Sequence, residues 1–274
     1  MRSAEWALII YTTLLQMAVG AFVVLGVLRL LATRKAGAEE ADRLSDRALY
    51  AIGPVVVVGV LASFLHLGNP LNGYRALVNI GTSWLSREIA FTIAFSALGA
   101  VYALMQWRKI GGATLRSVVA VLTAVVGLGL VYAMAKIYML PTQPSWNTIA
   151  TPVQFYATTL LLGSLAVGAA LVANYAYLKS KGEGADLQTQ GKLLCNAICS
   201  IVVVAALVLA VELVAYPVYI ATLAAGPAAA VQSASILAGE FGLLMGLRLL
   251  LVIVGAGIFG IFLYRRVRDG NLLD

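Results

Sequence analysis

Seven stretches of mostly apolar residues run through the chain, at roughly 6–31, 49–67, 87–107, 116–139, 152–178, 193–221 and 239–264. A helix needs about 20 such residues to cross the hydrocarbon of a bilayer. Lipid gives an unpaired backbone nothing to bond to, so helices with internally satisfied amides are the natural solution. The expected fold is therefore an all-α integral membrane protein of about seven transmembrane helices in bundles, forming a single transmembrane domain over residues 1–274. Hydrophobic residues make up 61% of the chain, charged residues 11%, and the mean hydropathy is +0.93, which leaves too little polar surface for a soluble globule. The first stretch is too long for a removable signal peptide and has no small-residue cleavage site of the expected kind, so it is read as a helix.

Orientation follows from the basic residues, which are retained on the cytoplasmic side. Arg34, Lys35, Arg43, Arg47, Arg108, Lys109, Arg116, Lys179, Lys181, Lys192, Arg265, Arg266 and Arg268 fall in alternate connections and the tail. The opposite connections hold only Arg2, Arg75, Arg87 and Lys136. The N-terminus is expected outside and the C-terminus in the cytoplasm. This asymmetry accounts for the net charge of +7, which is accordingly not read as nucleic-acid binding.

His66 is the only histidine. A haem held between transmembrane helices usually takes two axial ligands, most often imidazoles, and this chain can offer one. If it handles electrons, it passes them to a cofactor in another protein. Cys195 and Cys199 share a helical face without further metal ligands nearby and are read as core residues. Gly242, Gly246, Gly255, Gly257 and Gly260 are read as small residues for close helix packing.

Carboxylates inside a bilayer are costly and point to function. Glu88, Glu212 and Glu240 qualify, whereas Glu5 beside Trp6 sits where an interfacial role is ordinary. On the topology above, His66 and Glu88 lie at the outer ends of consecutive helices, joined by the connection 68–86, and can face each other at one depth. Two readings of the pair stand side by side. His66 caps a helix end while Glu88 pairs with Arg87 or sits at a helix N-terminus, or the two accept protons in a reaction such as quinol oxidation.

Several segments bear on this choice: Glu5-Trp6 with Gln16 and Gly20; Leu65-His66-Leu67-Gly68-Asn69-Pro70; Asn79, Gly81 and Ser83; and Leu85-Ser86-Arg87-Glu88-Ile89-Ala90. Lys136-Ile137-Tyr138, Pro144-Ser145-Trp146 and Thr151-Pro152 with Phe155 follow in order. Together they resemble the membrane anchor subunit of the dimethyl sulfoxide reductase family, the DmsC type, across the first five stretches and more weakly from residue 180 onwards. Members of that family commonly have eight transmembrane helices where seven are read here.

The resemblance implies a cofactor-free anchor in a bacterial or archaeal cytoplasmic membrane. It binds and oxidises menaquinol or a related quinol. It holds an iron–sulfur subunit that relays electrons to a molybdopterin catalytic subunit, with both partners on the outer face, for anaerobic respiration. The positions matching His66 and Glu88 are associated in the family with quinol binding and oxidation. Arg75, Lys136, Tyr138 and Trp146 lie in the outer connections and are further candidates for quinol contact, although such residues are also ordinary interfacial anchors. Glu212 is the one residue available for a proton path across the membrane; otherwise it is a buried neutral acid bonded to a neighbouring helix.

The main alternative is a proton-coupled transporter using Glu88, Glu212 and Arg248, with Pro217 breaking a helix. No segment shows a convincing second copy. A retinal protein would need a lysine inside the last stretch, which carries only Arg248 and its terminal arginines.

Overall fold

A computed structural model of the chain describes residues 3–65, 70–181 and 186–269. Among the described residues every element is helical: α1 (Ser3–Leu65), a 3-10 helix (Pro70–Asn79), α2 (Trp84–Arg108), α3 (Ala113–Tyr138), α4 (Ala150–Lys181), α5 (Leu187–Ala224), α6 (Ala228–Ala238) and α7 (Gly242–Asp269). By length and composition five of these helices can cross a membrane, and a sixth span arises if the bent pair α6–α7 counts as one. The chain is a multi-pass membrane protein.

Laid out straight, the 63 residues of α1 would measure about 95 Å, roughly three times the hydrocarbon thickness. The helix instead breaks at Gly37, whose φ of 87° and ψ of 169° belong to a region that glycine enters without a side-chain clash. The arms 3–36 and 38–65 then lie antiparallel. Gly59 abuts Leu15 so closely that a Cβ there would strike the leucine side chain, and Arg29 Nη2 meets Asp42 Oδ1 at 2.6 Å.

The sequence reading places a loop at 32–48, but the structure is helical on both sides of Gly37. The reason is local. Ala41, Leu44, Ser45 and Ala48 recur at helical spacing and are buried, while the charged residues between them turn to the flanks. The tip is clamped by its neighbours. Asn174 Nδ2 donates to the Arg43 and Leu44 carbonyls at 2.9 and 3.1 Å, and Gln190 Nε2 donates to Glu40 Oε2 at 2.6 Å.

At the other end, Asn79 O accepts from the amides of Thr82 and Ser83 at 3.1 and 2.9 Å, turning the chain into α2. Ser83 Oγ accepts from the Ser86 amide at 3.4 Å as the N-cap, so α2 starts at Trp84 rather than at 87. Pro217 sits inside a continuous α5 and does not break it. The alanine-rich segment before 239, read as a connection, forms α6, which meets α7 at a bend of 72°.

The core lies where the first arm of α1 crosses α4. A Cβ on Gly20 would run into the Thr159 carbonyl, and one on Gly163 into the Gly20 backbone, so the two helices touch main chain to main chain. Of the glycines expected to permit close approach in the last stretch, Gly242, Gly246 and Gly257 face open space and Gly255 has only an ordinary contact with Leu209, while the surroundings of Gly260 lie outside the described residues. Leu15, Val19, Leu130, Val131 and Leu171 are fully buried around the crossing. Phe22 packs edge-on against Phe95 and Tyr102, with ring centroids 6.0 and 5.6 Å apart, and fixes α2 against the first arm.

Candidate functional site

Ser83 starts α2 so that Glu88, in its second turn, faces the first arm of α1. The Glu88 residue is only 6% exposed. Tyr11, buried on that arm, brings its hydroxyl within 2.9 Å of Thr92 Oγ1, which places the phenol beside the Glu88 carboxyl. Thr92 lies one turn beyond Glu88 on the same face and donates its own hydroxyl to the Glu88 carbonyl at 2.9 Å. Tyr138, at the end of α3, brings its phenol into electrostatic range of Glu88.

The cations nearby are engaged elsewhere. Arg87 does not pair with Glu88: its Nε and Nη2 donate to the Ile80 and Gly81 carbonyls at 2.9 and 2.6 Å, and its guanidinium stacks 4.3 Å over Trp84. Lys136 Nζ lies 5.7 Å from the same indole, and Tyr132 packs edge-on against it at 5.6 Å. Among the described residues no ion pair reaches Glu88. The result is a buried carboxyl beside a phenol and outside any ion pair among the described residues, with Arg87 and Lys136 turned to an indole instead. Such a group can take up a proton without losing an ion-pair partner.

Of the residues singled out from sequence, Glu88, Tyr138, Lys136 and Trp146 are brought to one end of the bundle. Tyr138 links the last of these, packing edge-on against Trp146 at 5.7 Å and at a tilt against Phe155 at 5.6 Å. Tyr219 Oη donates to the Ser145 carbonyl at 2.9 Å, tying the 140–149 connection to α5. Arg75 is exposed, and its side-chain contact is with its neighbour Tyr74. His66 lies outside the described residues. Sequence reasoning missed Tyr11, Thr92 and Trp84. The spacing of four between Glu88 and Thr92 was the available signal, since two polar side chains on one face of an apolar helix need a common partner.

A family model described as DMSO reductase anchor subunit (DmsC) matches residues 1–273. The chain belongs to the DmsC family.

This DmsC-family protein is 33% identical over 162 residues to the C-chain of the anaerobic dimethyl sulfoxide reductase of Escherichia coli, a match that takes in 59% of the present sequence and 55% of the relative. It is 29% identical over 170 residues to the protein of the same name in Haemophilus influenzae, with 62% and 60% taken in. It is also 30% identical to the C-subunit of the sulfite dehydrogenase of Allochromatium vinosum, with 62% and 54% taken in. The matched part thus spans little more than half the length of these curated relatives. No solved structure matches the protein.

The other intramembrane carboxylate of the DmsC-family protein is handled differently. Glu212 in α5 pairs with Arg248 in α7 at 3.0 Å, and that guanidinium lies 5.7 Å from the Tyr216 ring. The expected neutral acid is therefore a salt-bridged one. The three groups invoked for a transporter divide between two places, Glu88 among α1, α2 and α3, and the ion pair between α5 and α7. Glu240 is exposed at the turn into α7. Cys195 and Cys199 are both half-buried on α5.

Proposed function

We propose that this chain is the membrane anchor of a molybdopterin oxidoreductase complex in a bacterial or archaeal cytoplasmic membrane, and that it binds and oxidises menaquinol or a related quinol. In this reading the arms of α1 are separate crossings and α6–α7 is one, which makes seven. The N-terminus is outside, and the Glu88 end of the bundle faces the outer side together with the iron–sulfur and molybdopterin subunits. The relatives' names support such a complex, and their variety fits a protein that never touches the terminal substrate.

The observation that carries the reading is the Glu88 carboxyl, buried at one end of the bundle beside a phenol and with no ion pair to a cation among the described residues. A quinol loses two electrons and two protons on oxidation. One proton passes to the imidazole of His66, which follows Leu65 in sequence, and the other to the Glu88 carboxylate. Both electrons leave to the iron–sulfur partner, and the anchor needs no redox group of its own. Tyr138 and Trp146 offer an aromatic wall beside Glu88. Lys136 and Arg75 supply donors for a quinone oxygen when their side chains turn. Protons released on the outer side, where the partner subunits also consume them, make the step electroneutral.

The test is oxidation of a reduced menaquinol analogue by membranes holding the assembled complex, comparing wild type with His66→Arg and Glu88→Gln at matched assembly. Slow oxidation in both variants supports the site. Wild-type turnover in both removes it and leaves a passive anchor.

A further inference from the structure

We propose that the cleft between α4, α5 and α7 is a second site for an isoprenoid quinone, which holds the oxidised ring through a carbonyl bonded to Arg248. The inference rests on the reading that this chain draws quinol from the bilayer, and it gives the product a place apart from Glu88.

The cleft has a volume of about 550 Å³, and its walls include Leu161 and Leu165 of α4, Leu209 of α5, and Leu247, Leu251 and Gly255 of α7. Sites for small apolar ligands are commonly of this size, mostly hydrophobic with a few placed polar groups. Among the described residues lining the cleft, Arg248 is the single polar one.

Arg248 reaches the cleft with its charge already answered from α5. Its Nη2 donates to Glu212 Oε2 at 3.0 Å, and the ring of Tyr216, one turn beyond Glu212, lies 5.7 Å from the guanidinium. The arginine side chain is nonetheless 44% exposed. A guanidinium carries five N–H donors, and among the described residues Glu212 is the one acceptor that Arg248 meets. Donors turned to hydrocarbon without an acceptor are costly. The cleft therefore favours a ligand that brings an acceptor on an apolar body.

Charge decides which acceptor. A phosphate or carboxylate would set a second anion beside Glu212, which already neutralises the arginine, and like charges repel strongly where the dielectric is low. A neutral carbonyl meets the donors and adds no charge. Glu212 Oε1 is buried, so the cleft offers donors and apolar walls and little to receive a hydroxyl hydrogen. The oxidised quinone, with two carbonyls and no donor, fits better than the quinol, and the leucines take the start of its tail.

Depth agrees with the same occupant. Glu88 stands 20 residues from Arg108, Glu212 stands 20 from Lys192, and Arg248 stands 17 from Arg265, a helical rise of about 26–30 Å in each case. The ion pair and Glu88 thus share one level in the bilayer. A ring leaving Glu88 reaches the cleft by moving around the bundle, without changing depth.

The experiment is photolabelling of the assembled complex in phosphatidylcholine vesicles with an oxidised azido-naphthoquinone bearing a short isoprenoid tail, the labelled peptides being mapped by mass spectrometry. Label is expected on α7, competed by unlabelled oxidised naphthoquinone and not by phosphatidylglycerol. Arg248→Met should weaken it about tenfold, the size of one hydrogen bond to a charged group. Gly255→Leu fills the cleft without touching the ion pair, since a Cβ there meets only Leu209 at 3.8 Å; it should abolish the α7 label and decides the matter if Arg248→Met fails to assemble. Wild-type labelling in both variants overturns the site. So does equal labelling by an aryl azide with the same tail and no carbonyls, which shows a groove for tails alone, or competition by phosphatidylglycerol, which shows a lipid headgroup. Glu88→Gln should keep the α7 label, and its loss there overturns a separate site. Normal quinol oxidation in Glu88→Gln with the α7 label intact overturns the Glu88 reading and supports the cleft.

Discussion

The two ends of the bundle handle buried carboxyl groups in opposite ways. At the Gly37 end, charge answers charge. Lys109 Nζ bridges Asp42 and Asp46 at 2.7 and 3.0 Å, Arg29 takes the other oxygen of Asp42 at 2.6 Å, and Gln106 Nε2 donates to both aspartates at 2.7 and 2.9 Å. At the Glu88 end the carboxyl lies buried beside the Tyr11 phenol with no ion pair among the described residues, and the cations are diverted to main-chain oxygens and an indole. A clamp of fixed charges resists a change in protonation, because neutralising one member strands the others. A carboxyl outside such a clamp tolerates the change. The Gly37 end is built to hold still and the Glu88 end to exchange a proton.

The comparison breaks most sharply if the two ends respond alike. Glu88→Gln is expected to lower quinol oxidation by about 100-fold or more, the usual contribution of a positioned proton acceptor, while leaving thermal unfolding of the solubilised complex nearly unchanged. Asp42→Ala should do the reverse. It strands Arg29, leaves Lys109 with Asp46 alone, and costs about 2 kcal/mol of stability, read as a lower unfolding temperature, with turnover per assembled complex as in wild type. A loss of turnover there would place both ends in one functional unit.

Smaller effects sharpen the contrast. Trp84→Leu frees Arg87 and Lys136 from an indole that holds each by about 0.5–1 kcal/mol. With a cation able to reach Glu88 and hold its charge, turnover should fall several-fold, measured in the same quinol assay. Lys109→Met removes a half-exposed cation and should cost less than about 1 kcal/mol. Its effect carries a pH signature. Burial works against the Lys109 charge, but the bonds to Asp42 and Asp46 outweigh it and hold the ammonium above the ordinary lysine value. That stabilisation is fully present below about pH 10.4 and is lost as pH rises through the raised value. Unfolding temperatures of wild type and Lys109→Met should therefore differ at pH 8 and converge in strong alkali.

The membrane-spanning character was legible because lipid leaves an apolar run few alternatives, and Glu88 stood out because an acid near a span is rarely idle. What escaped notice had physical reasons too. The segment 38–48 carries six charged residues among eleven, so its composition reads as a loop. Its buried stripe of Ala41, Leu44 and Ala48 consists of residues too small or too few to dominate a hydropathy profile. The helix α6 is apolar enough for a span and too short for one, so neither test found it. Tyr11 near the end of a stretch looks like an interfacial anchor, and only a three-dimensional neighbour, Thr92, shows it turned inward. Arg75 was singled out by its place in a connection, but a place in sequence does not choose between facing a site and facing solvent.

The bare contact between Gly20 and Gly163 has a consequence for how the molecule is made. The ribosome delivers the first arm of α1 more than a hundred residues before the part of α4 that covers it, and α2 and α3 emerge in the interval. Through that time the Gly20 face offers lipid a shallow notch with no side chain to fill it. The late arrival of α4 completes the seam, so the backbone-to-backbone crossing at the centre of the protein is among the last of its early contacts to form during synthesis.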